Sequence, residues 1–135
     1  MATLKLEIVT PEAKVYSEDV DMVTLPGIEG EMGIYPNHVP LMTQLAAGEL
    51  AVRKGPETTY LAVGEGFVEV TPNSVSVLTD MAIRAQDIDE AKAEEARLRA
   101  EARLAEKLDA EEVATVQAAL ANSLAQLHVK RHHHH

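Results

Sequence analysis

Residues 25–40 have the sequence Leu25-Pro-Gly-Ile-Glu-Gly-Glu-Met-Gly-Ile-Tyr-Pro-Asn-His-Val-Pro40, the densest cluster of glycine and proline in the chain. Glycine accepts positive φ at no steric cost, while proline fixes φ and lacks a backbone donor, so this stretch is not a helix. Such a cluster of glycine and proline is typical of a turn-rich connection between two β-strands. Its apolar anchors are Ile28, Met32, Ile34 and Val39. We therefore predict a structured loop between two strands.

Short apolar segments separated by turn residues surround this stretch. In the first of them, Leu4, Leu6 and Ile8 alternate with other side chains, as in a half-buried strand. The segments predicted as strands are 4–9, 15–16, 20–25, 41–46, 49–54, 58–63, 67–70 and 74–78. We expect the fourth and fifth of these segments to pair as a hairpin. Many short strands at regular spacing predict an all-β sandwich or barrel up to about residue 83.

The composition changes near residue 85. From Gln86 to Arg131 the chain has no glycine and no proline, and alanine, glutamate, leucine and arginine dominate. Asp87 with Glu90 has the spacing of a capping box, and so has Asp109 with Glu112. These signals predict helices over 88–107 and 110–127. The second carries a stripe of apolar side chains: Val113, Val116, Leu120, Leu124 and Leu127.

A tight link near Asp109 favours an antiparallel helical hairpin. The apolar positions of its first helix are Ala91, Leu98 and Ala105 at heptad spacing, with Leu104 and Leu108 near its end. Two of the three heptad positions are alanines, whose small side chains bury little surface. Each buried CH₂ contributes about 0.8 kcal/mol, so a contact between the two helices that is lined by alanine is only modestly stable. We expect the hairpin to open or re-dock at a cost of a few kcal/mol.

Composition excludes several classes of function. The 135 residues carry a formal net charge of −10, which disfavours nucleic acids and anionic lipid headgroups as direct partners. Cysteine is absent, so disulfides and thiolate chemistry are excluded. The lack of a long apolar run or a signal pattern predicts a soluble cytoplasmic protein without direct membrane insertion. The terminal 132–135 histidines have the composition of a purification-tag remnant.

No motif of the chain indicates catalysis. Gly27, Gly30 and Gly33 recur at intervals of three, but they lack the Lys-Ser/Thr of a P-loop and do not open a helix. His38 has no further metal-ligating residues at suitable spacing, so we predict no metal site. No nucleophile–base arrangement is recognisable, and we predict a chain without enzymatic activity of its own.

Basic residues recur along one face of the first predicted helix. Lys92, Arg99 and Arg103 are spaced by seven and four residues. Two interpretations are open: a solvated face neutralised by Glu95 and Glu106, or a contact with a phosphate or an acidic partner surface.

Longer motifs carry a family resemblance. They are Leu25-Pro-Gly-x-x-Gly-Glu-x-Gly-Ile-x-Pro-x-His-x-Pro-Leu41, Leu45-x-x-Gly48, Gly66-Phe-Val-Glu-Val-x-x-Asn73-x-Val-x-Val-Leu78 and Ile88-Asp-Glu-Ala-Lys-Ala93. The chain closely resembles the epsilon subunit of bacterial F-type ATP synthase over almost its whole length. The resemblance implies a ten-stranded antiparallel β-sandwich at 1–84, for stalk and ring docking. It also implies a regulatory two-helix hairpin at 85–131.

The resemblance further implies a non-catalytic rotor subunit of the central stalk, which couples c-ring rotation and proton transport to ATP synthesis. Its partners would be the gamma subunit, the c-ring and, through an extended hairpin, the alpha and beta subunits of the catalytic head. It would lie peripherally, at the cytoplasmic side of the bacterial inner membrane. By position in the family, Glu29 and Glu31 would face the c-ring. His38, Val39 and Thr43 would face gamma.

In this family the hairpin can inhibit ATP hydrolysis when it extends into the head, and some members bind ATP there. For inhibition the resemblance points to Arg97, Arg99 and Arg103. For ATP binding it points to Asp89, Lys92, Ala93 and Arg99. However, Lys92 stands where the family motif has arginine, and an ammonium group cannot form the planar, bidentate hydrogen bonds of a guanidinium. No cofactor is required, and ATP would be a weak regulatory ligand.

Two alternatives to the rotor subunit stay open. One is a free-standing nucleotide sensor whose hairpin folds on ATP, which the substitution at Lys92 disfavours. The other is a small-molecule-binding sandwich enzyme, for which the sequence offers no catalytic constellation.

Overall fold

The computed structural model describes residues 2–133. Met1 and the last two histidines of the predicted tag remnant lie outside the described residues. The strands are β1 (Leu4–Val9), β2 (Lys14–Val20), β3 (Met22–Gly27), β4 (Gly30–Ile34), β5 (Leu41–Leu45), β6 (Gly48–Lys54), β7 (Glu57–Val63), β8 (Gly66–Thr71), β9 (Ser74–Thr79) and β10 (Ala82–Arg84). A single 3₁₀ turn (Ala85–Asp87) leads to α1 (Glu90–Leu104) and α2 (Ala110–His132).

The ten strands form a sandwich, which confirms the predicted fold class. The hydrogen-bonded order is β10-β7-β6-β3-β5-β8-β9-β1-β2, with β4 paired to β3. In the described residues β3 and β5 share one residue pair, Gly27 with Leu45, and here the sheet turns over into its second layer. The first layer therefore holds β10, β7, β6, β3 and β4, and the second holds β5, β8, β9, β1 and β2.

The first strand of the chain is inserted into the interior of the second layer. β1 pairs antiparallel with β2 on one side and parallel with β9 on the other. Its register joins Leu6 to Val75 and Ile8 to Val77 across the parallel pair. This pairing departs from a wholly antiparallel sandwich, and it ties the beginning of the domain to a strand near its end.

Residues 25–40 contain more regular structure than the predicted loop. Leu25, Pro26 and Gly27 complete β3, and the chain returns at once as β4, with Leu25 opposite Met32. The glycines allow this close return, because a Cβ on Gly27 would lie 2.9 Å from the carbonyl oxygen of Gly30. The prediction of a loop over the whole stretch was therefore wrong for its first ten residues, which form a β-hairpin.

The predicted pairing of 41–46 with 49–54 was also wrong. β5 pairs with β8 along its whole length, whereas β6 pairs with β7 and β3. The chain crosses between the two layers at Ala46 and Ala47, so strands that are adjacent in sequence belong to different layers. A short link thus connects two layers here and is not a hairpin turn.

Large aliphatic side chains fill the space between the layers. The largest fully buried ones include Leu4, Leu6, Ile8, Leu25, Ile34, Leu50 and Leu61. They come from strands of both layers. Because strand residues alternate between the two faces of a sheet, every second residue of these strands faces the core. Complete burial of such side chains gives the sandwich a hydrophobic core that needs no aromatic residue other than Tyr16.

The two helices begin at aspartate caps. Asp109 accepts a hydrogen bond from the Glu112 N–H at 2.8 Å, and the Glu112 carboxylate accepts from the Asp109 N–H, as predicted. The capping box predicted at Asp87 was wrong, because that residue lies in the 3₁₀ turn. Asp89 caps α1 instead, and α1 ends at Leu104, three residues before the predicted end.

The hairpin is antiparallel and is docked on the sandwich. α2 packs against β6 and β7, and a second apolar cluster of Ala62, Ile88, Ala125 and Val129 joins helix to sheet. The predicted stripe on α2 was wrong at Leu124, which is exposed. The heptad positions predicted for α1 were also wrong, because Ala91, Leu98 and Ala105 are exposed and α1 buries Ala93 and Ala100 instead. Because α2 packs on both α1 and the sheet, its buried positions shift to residues that lie between the two.

Candidate functional site

The tip of the β3–β4 hairpin presents two of the predicted docking residues. Glu29 and Glu31 are both exposed there. The Ile28 N–H donates to the carbonyl of Gln44 at 3.2 Å, which ties the tip to β5. Gly30 has φ of 132°, a conformation that side-chain-bearing residues rarely adopt. The two carboxylates are therefore displayed on a turn of fixed shape.

The second half of the same stretch lies at the other end of β4. Asn37 has φ of 68°, and its N–H donates to the carbonyl of Pro72 at 2.7 Å, so the loop lies against the β8–β9 turn. Nδ1 of His38 is 2.7 Å from the carbonyl oxygen of Val39, whose side chain is 71% exposed. The length of β4 thus separates His38 from Glu31, and the predicted docking residues form two groups.

Thr43 differs from the other predicted docking residues in its orientation. It alternates with the exposed Met42 and Gln44, and it lies on the same side of β5 as the buried Leu45. Its side chain is consequently half-buried. The outward positions of β5 belong to Met42 and Gln44, which the sequence analysis did not select.

Three large apolar side chains face outward on neighbouring strands of the second layer. Met42 on β5 is 69% exposed, Phe67 on β8 is 54% exposed and Leu78 on β9 is 55% exposed. Phe67 pairs directly with Leu78. We call these three residues the outer patch. A cluster of exposed apolar side chains is a candidate interaction site.

A sequence signal for the outer patch was present. Consecutive strand residues face opposite sides, so two adjacent large apolar residues place one side chain outward. Phe67 precedes the buried Val68, and Leu78 follows the buried Val77. Both pairs were visible in the sequence, but they were counted there only as strand formers.

The residues proposed to bind ATP lie at the start of α1 and along it, and two of them have structural roles there. The Asp89 carboxylate accepts the Lys92 N–H at 3.1 Å as the helix cap, and Ala93 is buried against the rest of the fold. The Lys92 side chain is exposed. Arg99 lies further along the helix, with Nη2 at 3.4 Å from Glu95.

The other arginines of α1 are engaged by glutamates of the hairpin itself. Arg97 forms ion pairs with Glu94 and with Glu101, the latter at 2.6 Å. Arg103 binds Glu106 at 3.1 Å and Glu112 of α2 at 3.3 Å. In this conformation glutamates of the hairpin therefore neutralise the charges of Arg97 and Arg103.

Arg131 forms a clamp between the helices that the sequence analysis did not predict. It contacts Glu90 at 3.2 Å and Glu94 at 2.9 Å, joining the end of α2 to the start of α1. The hydrogen bond from Arg97, and then that from Arg131, hold the pKa of the Glu94 carboxyl below its ordinary value. Both contacts are solvent-exposed, so they orient the helices more than they stabilise them.

Two kinds of site are not found within residues 2–133. No group of three or more histidine, cysteine or acidic residues there is arranged to hold a metal ion. Within the same residues, no helix has the length and apolar character that a membrane crossing requires.

Two family models together cover almost the whole chain. Residues 3–85 match the beta-sandwich domain of the ATP synthase delta/epsilon chain, and residues 86–131 match its long alpha-helix domain. The chain belongs to the ATP synthase delta/epsilon chain family. The boundary between the two models falls at the 3₁₀ turn that leads from β10 to the helices.

Bacterial members of the delta/epsilon family are similar over most of the chain. An ATP synthase epsilon chain from Dehalococcoides mccartyi is 58% identical over 107 residues, which are 79% of this chain and 76% of the relative. One from Syntrophobacter fumaroxidans is 48% identical over 126 residues, 93% of this chain and 94% of the relative.

Chains in two solved ATP synthase structures share the fold. A chain in the cryo-EM structure of Euglena gracilis mitochondrial ATP synthase (OSCP/F1/c-ring) superposes with a TM-score of 0.78 at 26% identity, covering 98% of this chain and 83% of that one. A chain in the central stalk/c-ring structure of the Tetrahymena thermophila enzyme superposes with a TM-score of 0.62 at 12% identity, covering 92% and 96%. At that identity the second match concerns the fold alone.

Proposed function

We propose that the chain is a non-catalytic rotor subunit of the central stalk of an F-type ATP synthase, coupling c-ring rotation to ATP synthesis. Family membership over residues 3–131 supports this proposal, as do the bacterial relatives that carry the name ATP synthase epsilon chain. The similar Euglena chain comes from an assembly that contains F1 and the c-ring. The proposed location is the cytoplasmic side of the bacterial inner membrane, without insertion of this chain into the bilayer.

The observation that carries the proposal is the outer patch. Met42, Phe67 and Leu78 expose apolar surface on a layer whose other face is buried in the core. A stable protein interface buries about 800 Å² on each partner, with apolar side chains at its centre. We propose that the gamma subunit covers the outer patch, with His38 and Val39 at its margin.

Co-purification with gamma tests this assignment. Phe67→Ser and Leu78→Ser should weaken gamma binding about tenfold or more, because each removes a central apolar contact. Leu98→Ser is the matched control, since Leu98 is also 54% exposed but lies on α1. Equal gamma affinity for all three variants and the original chain would refute the docking surface.

We propose that the β3–β4 tip faces the c-ring. Glu29 and Glu31 are exposed there and have no ion pair within residues 2–133. Glu31→Gln should therefore reduce coupled ATP synthesis in the assembled enzyme and leave the thermal unfolding of the isolated chain unchanged. His38→Ala should impair gamma binding in the same selective way. Unfolding of the isolated chain by either substitution would assign the stretch to scaffolding.

A regulatory role for the hairpin forms the second part of the proposal. The hairpin docks on the sandwich through one small apolar cluster, and Arg97, Arg99 and Arg103 are paired within the hairpin. Extension into the catalytic head would exchange those glutamates for acidic segments of the alpha and beta subunits and would inhibit hydrolysis. Hydrolysis by the assembled enzyme should rise when residues 88–131 are deleted. An unchanged rate would remove this role.

A weak ATP site on the hairpin is the alternative regulatory proposal. The exposed Lys92 beside the Asp89 cap is the observation that favours it. MgATP should then release measurable heat in isothermal titration at millimolar concentration, and Lys92→Gln should abolish that heat. Absence of heat from the original chain would eliminate the proposal.

A further inference from the structure

Two recesses lie where α2 meets the end of the sandwich. The first, of about 660 Å³, lies beside the start of β8 and has Phe67 in its wall. The second, of about 560 Å³, lies between α2 and the β3–β4 tip. Ala47, at the crossing between the layers, and Ala121, on α2, line both recesses. The two recesses therefore adjoin, and we call them together the junction groove.

Large apolar side chains from three separate elements line the junction groove. Ile28 at the β3–β4 tip is 60% exposed, and Leu124 on α2 is 48% exposed. Ile28 and Phe67 line the first recess, and Leu124 lines the second. Segments that are far apart in the sequence thus place exposed apolar surface around one groove, which makes the groove a candidate docking site for another protein.

One wall of the junction groove is held by backbone hydrogen bonds of the sandwich. The Ile28 N–H donates to the carbonyl of Gln44, and the Ala46 N–H donates to the carbonyl of Pro26 at 2.8 Å. The other wall is α2, which packs on β6 and β7. The junction groove is therefore complete only while the hairpin is docked on the sandwich.

Carboxylates lie among the apolar residues of the junction groove. Glu65 lines the first recess, and Glu31 and Glu49 line the second. Among residues 2–133, no lysine or arginine lines either recess. Such a groove fits a partner segment whose apolar side chains are flanked by basic ones, because complementary charges select the partner and its orientation.

The junction groove is continuous with the outer patch. Phe67 belongs to both, so a protein that covers the outer patch reaches the first recess across this side chain. We infer that the gamma subunit continues from the outer patch into the junction groove and contacts Leu124 of the docked hairpin. This inference rests on the proposed docking of gamma on the outer patch, and it adds a second contact, which is made with the hairpin.

Contact with both parts of the chain makes gamma binding sensitive to the position of the hairpin. Met42, Phe67 and Leu78 belong to the sandwich and stay in place when the hairpin detaches, whereas Leu124 leaves with it. Gamma therefore binds the docked conformation more tightly than the detached one. By reciprocity, bound gamma makes detachment of the hairpin less favourable by the same factor.

The affinity of gamma for two leucine variants of the full chain tests the contact. Leu124→Gln should weaken gamma binding about fivefold, because it removes an apolar side chain from the interface. Leu98→Gln is the matched control and should bind gamma as the original chain does, since Leu98 is a similarly exposed leucine of α1 that lines neither recess. Glutamine has nearly the helix propensity of leucine, so both variants should keep the circular dichroism of the original chain.

Amide exchange supplies a second measurement, which reports on the docking of the hairpin. The amide of Val129 lies where α2 packs on the sheet, and Val129 lines neither recess. Saturating gamma should slow its exchange at least as many fold as Leu124→Gln weakens gamma binding, because the two effects are linked. In the Leu124→Gln variant the slowing should be smaller by the measured loss of affinity.

The alternative results separate this inference from the proposed function. Loss of affinity in Phe67→Ser but not in Leu124→Gln would confine gamma to the outer patch, so the inference would fail and the proposed function would stand. Unchanged affinity in both variants would overturn the gamma-docking surface as well. Equal losses in Leu124→Gln and Leu98→Gln would place the contact outside the groove and overturn the inference.

Two further results would also overturn the inference. Faster exchange at Val129 in the presence of gamma would show that gamma favours the detached hairpin. Self-association of the isolated chain in analytical ultracentrifugation, abolished by Leu124→Gln, would assign the groove to a second copy of this chain.

Discussion

The sandwich and the hairpin bury different kinds of side chain. Between the two layers of the sandwich lie leucines, isoleucines and valines with almost no exposed surface. The buried residues of the helices are instead mostly small: Ala93, Ala100, Ser123, Ala125, Leu127 and Val129. Since each buried CH₂ is worth about 0.8 kcal/mol, the hairpin is attached by much less apolar burial than the strands are.

The difference indicates two levels of stability within one chain. Local opening is cheapest where buried apolar contacts are few. The ion pairs of the hairpin do not compensate for this, because most of them are solvent-exposed and such pairs contribute little. We therefore expect the helices to detach from the sandwich at a lower free energy than the sandwich needs to unfold.

A leucine-to-alanine substitution, made once in the sandwich and once in the hairpin, should distinguish the stabilities of the two regions. Leu61 on β7 and Leu127 on α2 are both buried, at 0% and 3% exposure. Leu61→Ala should lower the free energy of global unfolding by about 3–4 kcal/mol, measured by urea denaturation, because a cavity opens in a closed core. Leu127→Ala should mainly accelerate amide exchange in the helices. Equal losses of global stability would show that the two regions unfold as one unit.

Two nearby glycines offer a second, smaller contrast. A Cβ on Gly66 would lie 1.8 Å from the backbone carbonyl oxygen of Leu78 in β9, so Gly66→Ala should cost about 2–3 kcal/mol of sandwich stability. A Cβ on Gly64 would meet side-chain atoms instead, Oδ1 of Asp80 at 1.8 Å and Oδ1 of Asn122 on α2 at 2.6 Å.

Because those side chains can rotate away, Gly64→Ala should cost about 1 kcal/mol or less. Its main effect should be faster amide exchange in α2, since Asn122 must leave its place. Chemical denaturation of both variants, with exchange measured in parallel, checks the contrast. A larger global loss from Gly64→Ala than from Gly66→Ala would contradict it.

Acid should produce the smallest of these effects, and in the hairpin it should act through Glu94. The pKa of Glu94 is lowered in the folded chain by Arg97 and then by Arg131. The contribution of these contacts is therefore complete above the unfolded pKa of about 4.3, and it is lost as the pH falls through the lower folded pKa. Amide exchange in α1, corrected for the intrinsic pH dependence, should rise below that range. Glu94→Gln should remove part of this pH dependence, and an identical profile in the variant would exclude the contact as its source.

The sequence predicted the elements better than it predicted their partners. The change from glycine and proline punctuation to an uninterrupted helical composition located the transition near residue 85, and strand periodicity located eight of the ten strands. Strand β10 has three residues, too few for a period to be visible, and β4 was hidden among glycines taken as turn residues. The link of two alanines between β5 and β6 resembles a hairpin turn locally, and only the closure of the two layers assigns it to a crossing.

Candidate sites were less predictable for a related reason. Asp87 and Asp89 both precede a helical run, and the choice of cap depends on the 3₁₀ turn that follows β10. The outer patch depends on which side of each strand faces the core. Such properties arise from docking between distant segments, which no local pattern records.

The parallel pairing of β1 with β9 sets an order of events during synthesis. Strand β1 leaves the ribosome before β9 and cannot complete its pairing until residues 74–79 have also emerged. Domains fold as units during translation, and long-range pairings of this kind slow folding. The hairpin, made of local contacts, emerges afterwards onto a sandwich that can already be closed. The nascent chain would thus finish its docking platform before it makes the element that docks there.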